Sequence, residues 1–154
     1  MGKTVCFEKI LEVYEPDKKK AIVERSLSDY KTLIAAGIPV PRLCDIDYEN
    51  AIILKEYIPG EVAFNYIAKR KNAELLLEQV REIYNKAELY GIELDYKSLN
   101  FAVKDNRLIY IDYSCCPLRD ETRAEFEKTI LEYWQADTPE FAGMLYDVAM
   151  KYME

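Results

Sequence analysis

Three residues in the stretch ELDYKSLNFAVKDNRLIYIDYS, residues 93–114, have types and spacing suited to phosphate chemistry. Asp95 is followed five positions later by Asn100. A hairpin-like segment then ends in Asp112, just past the apolar run Leu108-Ile109-Tyr110-Ile111. Phosphoryl transfer asks a protein for a carboxylate near the acceptor hydroxyl and for oxygen ligands to a metal that bridges the phosphates. Asp and Asn oxygens suit Mg²⁺, a hard cation. The competing reading is that these residues cap turns and strand ends, as Asp and Asn commonly do.

Other chemistries are narrowed by composition. The chain has 154 residues and no histidine, which removes the commonest general base and the Ser-His and Cys-His mechanisms. Four cysteines, Cys6, Cys44, Cys115 and Cys116, include no C-x-x-C pair. They read as small buried hydrophobes in a reducing compartment rather than a zinc site. The net charge of -7 opposes approach to nucleic acid or an anionic membrane, so neither is an expected partner. No apolar stretch has membrane-spanning length and the N-terminal segment has no h-region, so the expected location is cytoplasmic.

The elements that must position the three residues follow from pattern. Residues 4–13 mix β-branched and aromatic residues as a strand does. Pro16-Asp17 reads as a turn, and Lys18 to Ala36 as a helix stopped by Gly37. IPVPRL is an extended connector, because each proline pushes its predecessor out of the helical region. Leu43 to Tyr48 and Ala51 to Ile58 read as antiparallel strands around a turn at Glu49-Asn50. Val62 to Arg70 is a short helix. Lys71 to Tyr90 is a longer one, with Leu75, Leu76, Val80, Ile83, Tyr84 and Ala87 assigned to one face. A loop at 92–98, strands at Leu99 to Val103 and Leu108 to Asp112, and helices at Glu121 to Gln135 and 139–153 complete the chain. Strands lead, helices follow and a hairpin is embedded late, which is an α+β pattern in a single domain over residues 1–154.

Four stretches in this order resemble the protein-kinase-like superfamily, closest to the aminoglycoside and small-molecule phosphotransferases and the atypical kinases. ERSLSDYKTLIAAGIPVPRL is similar to the family's regulatory helix and its exit. ILKEYIPGE is similar to the strand and hinge between two lobes, LDYKSLN to the catalytic loop, and LIYIDYS to the metal-binding motif. The resemblance implies a truncated protein-kinase-like fold: a reduced N-lobe over 1–58, a small antiparallel sheet with one helix, and a reduced, mostly helical C-lobe over 59–154. It implies ATP and Mg²⁺ as cofactors. Asp95 would orient or deprotonate the acceptor hydroxyl, and Asn100 and Asp112 would hold the metal. The backbone of Glu56, Tyr57 and Ile58 would bind adenine. Lys9 would reach the phosphates, paired with Glu24.

Departures from the family open an alternative. No G-x-G-x-x-G exists, Glu93 stands where the catalytic loop usually begins with His, Ser114 replaces a glycine, and Lys55 takes an ordinarily apolar position before the hinge. A catalytically inactive, pseudokinase-like module that binds a partner protein fits these losses. Two absent strands would leave an exposed sheet edge, and unpaired edges invite pairing, so a homodimer through that edge is expected.

Overall fold

The computed structural model describes the backbone of residues 5–9, 15–69 and 73–153, with side chains for 15–69 and 73–151. The architecture is α+β, with small antiparallel sheets and five helices among the described residues. Strand β1 (Val5–Lys9) leads into helix α1 (Pro16–Ala35). Pro16, expected in a turn, instead opens the helix, where its missing N–H would have lacked a partner anyway. At the other end Ile38 N–H donates to Leu33 at 3.0 Å and Gly37 N–H to Ile34 at 3.0 Å. Gly37 has φ 80°, so the helix stops in the left-handed turn that glycine accommodates.

Strands β2 (Leu43–Asp47) and β3 (Ile52–Glu56) follow, and β3 lies between β1 and β2. The turn between them is wider than two residues. The Asp47 carboxylate takes the backbone N–H of Asn50 at 3.0 Å and its side-chain amide at 2.8 Å. Those bonds, led by the side-chain one, hold the Asp47 carboxyl below its usual range. Ala51 closes the turn at φ 53°.

Strand β4 (Glu61–Val62), helix α2 (Ala63–Ala68) and helix α3 (Ala73–Leu89) begin the helical half. Gly60 admits β4 to its sheet, since a Cβ there would stand 2.3 Å from the Val103 carbonyl oxygen. Helix α3 buries Leu76, Val80, Ile83, Tyr84 and Ala87. Leu75 is the exception among the residues assigned to that face and is exposed. Gly91 ends the helix region at φ 77°.

Strand β5 (Ile92–Glu93) pairs with β8 (Cys116–Pro117), and between them lies the hairpin of β6 (Phe101–Lys104) and β7 (Arg107–Tyr110). Its two-residue turn, Asp105-Asn106, has both φ angles positive, matching the twist of the flanking strands. The outer side of β7 is occupied. Leu108 N–H donates to the Gln79 side chain at 2.8 Å, and Tyr110 N–H to the Pro39 carbonyl at 2.8 Å. Helices α4 (Thr122–Tyr133) and α5 (Pro139–Met153) pack on each other.

One large core gathers Phe64, Leu76, Tyr84, Phe101, Tyr110, Phe126 and Trp134, and Leu33 and Ile38 extend it to the end of α1. Val23 and Ala51 form a second cluster with Ile22 and Ile46. The C-terminal end of α1 is therefore anchored in the core of the helical half. No described helix is long and apolar enough to cross a membrane.

Candidate functional site

The β5–β8 ladder sets the site. It pairs Glu93 with Cys116 and Ile92 with Pro117, so the chain leaving β5 toward Asp95 runs beside the chain arriving at β8 from Asp112. A 3₁₀ turn at Ser98–Asn100 then carries the first segment into β6. Ile111 N–H donates to the Asn100 carbonyl at 3.0 Å, which brings Asp112 alongside Asn100. Asp95 and Asn100 meet within their own loop, where the Asn100 amide nitrogen lies 3.5 Å from the Asp95 carbonyl oxygen. The Asp95 carboxylate accepts Lys97 N–H at 3.3 Å and is otherwise turned to solvent.

Tyr110 joins the two segments from beneath. Its hydroxyl accepts Asp95 N–H at 3.3 Å and donates to the Ser114 carbonyl at 2.9 Å. The ring is fully buried. Burial, reinforced by the nearby Asp112 and Asp95 carboxylates, pushes the phenol well above its usual pKa, so it remains a neutral donor. Sequence pattern alone marks Tyr110 as core packing. This second role depends on two loops meeting over one ring.

Hard oxygen donors therefore stand on adjacent backbones at Asn100 and Asp112. Among the described residues no group of three or more Cys, Asp and Glu side chains forms a protein-only metal cage. Mg²⁺ usually takes one or two carboxylates and completes its shell with phosphates and water, a pattern that Asp112 and Asn100 fit.

The remaining predicted residues are more dispersed. Glu56 N–H is already given to the Arg42 carbonyl at 2.8 Å, while Tyr57 is exposed and Ile58 half-buried beyond the end of β3. Glu24 is exposed on α1 with Lys20 4.0 Å away. Lys9 lies on β1 opposite Ile52, and its side chain is outside the described residues. Lys55 is buried, with its ammonium 4.1 Å from the centre of the Tyr113 ring. Tyr113 packs on Tyr30 at 4.8 Å and donates to the Pro41 carbonyl. The residue after Asp112 is thus tied to α1, to β3 and to the proline connector. Cys115 is buried and Cys116 is exposed, so the reading of every cysteine as a buried hydrophobe does not hold for Cys116.

Beside Asp95 opens a cavity of about 320 Å³ between the 93–97 loop, β8 and α4. Glu93 anchors its wall. Its carboxylate receives Arg119 Nε at 2.7 Å, Arg119 Nη2 at 3.3 Å and the Thr122 hydroxyl. Arg119 also reaches Glu125 at 2.6 Å. The Arg119 hydrogen bond is the main cause that holds the Glu93 carboxyl below its usual range, against the opposing effect of burial. Glu93 is thus a committed ion-pair partner.

Comparison with protein-family models and with curated proteins finds no match for this chain.

Proposed function

We propose that the protein is a minimal ATP- and Mg²⁺-dependent phosphotransferase of truncated kinase-like fold. The observation that carries this reading is the side-by-side placement of the Asn100 and Asp112 segments, with Asp95 on the same loop as Asn100. Asp112 and Asn100 would hold Mg²⁺, which supplies charge neutralisation on the phosphates when bound. Asp95 would accept the proton of the acceptor hydroxyl. With the Glu56 N–H committed to Arg42, the backbone of Tyr57 and Ile58 beyond the end of β3 would offer groups to adenine.

Thermal unfolding with and without Mg²⁺ and ATP tests the reading. A ligand at a hundred times its dissociation constant adds about 2.7 kcal/mol of stability. Asp112→Asn is expected to abolish the Mg²⁺-dependent shift. Asp95→Asn is expected to keep the shift and lose release of ADP. Unchanged Mg·ATP affinity in Asp112→Asn would sink the metal assignment.

A second reading, a catalytically inactive module that binds a partner protein, is favoured by the missing glycine-rich loop and by the commitment of Glu93 to Arg119. The partner could be a second copy meeting β1, an edge strand in the described sheet. A strict monomer in light scattering at high concentration would count against that dimer.

A further inference from the structure

A groove of about 550 Å³ runs between the end of α1, helix α3 and strand β7. Its floor is apolar, with Ile38, Ile83 and Leu108 all buried. Lys86 on α3 and Arg107 on β7 line it, both exposed, and Glu82 is the one acid among its lining residues. Lys104 stands directly opposite Arg107 across the hairpin, and like charges in that position are destabilising. None of these three cations takes part in an ion pair among the described residues, whereas Arg81, Arg123 and Lys128 on α3 and α4 all do. On a chain of net charge -7, cations left free beside an apolar groove mark a surface for an acidic partner. The outward donors of β7 are already taken by Gln79 and Pro39, so an occupant is held there by side chains and not by strand addition.

The chain carries a matching projection. The turn between β2 and β3 presents Tyr48, 55 % exposed, beside exposed Glu49, and Asp45 is exposed on the strand that leads to it. Neither Asp45 nor Glu49 takes part in an ion pair among the described residues. The turn is held in shape before any contact, because the Asp47 carboxylate takes both Asn50 hydrogen bonds and Ala51 closes it at φ 53°. A tyrosine on such a turn is a ready anchor, since its ring is large and little side-chain freedom is lost on burial. Its ring suits the apolar floor, and Glu49 and Asp45 suit Lys86 and Arg107. Two free acids facing two free cations, with Lys104 alongside, outweigh the repulsion from Glu82. No residue of the turn lines the groove of its own chain, so the contact is one between copies.

We propose that the turn bearing Tyr48 and Glu49 on one copy docks in the groove flanked by Lys86 and Arg107 on a second, making head-to-tail assemblies. The contact uses different surfaces on the two copies, so it propagates into a ring or an open chain and does not close as a two-fold dimer. A single turn in a groove buries less than a standard interface, so the association is weak and reversible. It stands apart from the phosphotransferase reading and differs from a symmetric contact at β1.

Sedimentation velocity of the full chain over a concentration series is the test. The wild type is expected to sediment faster as concentration rises, past the value for a dimer, and to lose that dependence at high salt, which screens exposed charges. Tyr48→Ala keeps every charge and is expected to weaken association about tenfold, as loss of an aromatic anchor does. Lys86→Glu with Arg107→Glu reverses the groove, and Asp45→Lys with Glu49→Lys reverses the turn. Each pair alone is expected to stay monomeric while keeping a cooperative thermal transition. Mixed in equal amounts, the two reversed proteins are expected to associate again, because each groove then faces a turn of opposite charge. Damage to the fold cannot produce that rescue. Where a reversed protein does not fold, Tyr48→Ala decides alone. The proposal is overturned by a wild type that stays monomeric at millimolar concentration, which would leave the groove to a partner of another kind. It is equally overturned by assembly that stops at a dimer and ignores the groove and turn substitutions, by undiminished association in Tyr48→Ala, or by a mixture of folded reversed proteins that remains monomeric.

Discussion

The phenol oxygen of Tyr110 accepts the backbone N–H of Asp95 at 3.3 Å across a separation of fifteen residues. The same hydroxyl donates to Ser114, so one buried group ties the candidate base loop to the segment after Asp112. Tyr110→Phe deletes only that group and strands a backbone N–H and a carbonyl. A loss of about 1–3 kcal/mol is expected in urea unfolding. On the phosphotransferase reading, Mg²⁺-dependent nucleotide binding should weaken beyond what that loss explains. A variant as stable as the wild type would show that the bridge contributes nothing.

The Glu93–Arg119 pair carries a pH dependence. Because the folded Glu93 carboxyl titrates below its ordinary value of 4.5, the folded state holds fewer protons in that range. The stabilisation is therefore complete above that ordinary value and is lost as pH falls through the depressed folded value. Glu93→Gln should lower stability at neutral pH and flatten the acid limb. Denaturant midpoints measured from neutral pH into the acid range would settle this, and parallel curves for the two proteins would refute it.

Gly60 tests the packing of β4. An added methyl group must displace either the β4 backbone or the Val103 carbonyl, which stands 2.3 Å from the would-be Cβ. Gly60→Ala should cost about 1–3 kcal/mol, as overpacking does, and should loosen the pairing of Glu61 with Val103. Hydrogen exchange at residues 61–62 and 102–103 is the direct measurement; unchanged protection would contradict it.

Much of this architecture is legible from local pattern. The stripe Leu76, Val80, Ile83, Tyr84 and Ala87 spells out α3, and Gly37 and Gly91 stop helices at positive φ. The turn at Asp105-Asn106 stands where its residue types place it. Strands β4, β5 and β8, each two residues long, are too short to show a period and exist through their partners. Leu75 fits a loose apolar face but sits off the buried stripe. The candidate triad follows from residue type and spacing. The cavity beside it does not, because Arg119, Thr122 and Phe126 arrive from a later helix and the segment leading to it. Tyr110 lies within an apolar run that marks core, and its hydroxyl gains meaning only from what folding brings opposite it.

Prolines 39 and 41 read as breakers in the connector, yet their carbonyls receive Tyr110 N–H and the Tyr113 hydroxyl. Together with Gln79, Pro39 takes both outward N–H groups of Leu108 and Tyr110 on β7. A sheet edge whose donors are consumed by a side chain and a proline carbonyl is a poor template for a foreign strand. The hairpin behind the candidate site is thus plugged against fibrous growth. The plug also couples two distant parts of the chain, since pulling the connector away from β7 would uncover a sticky margin at the moment the Asp112 segment lost its support.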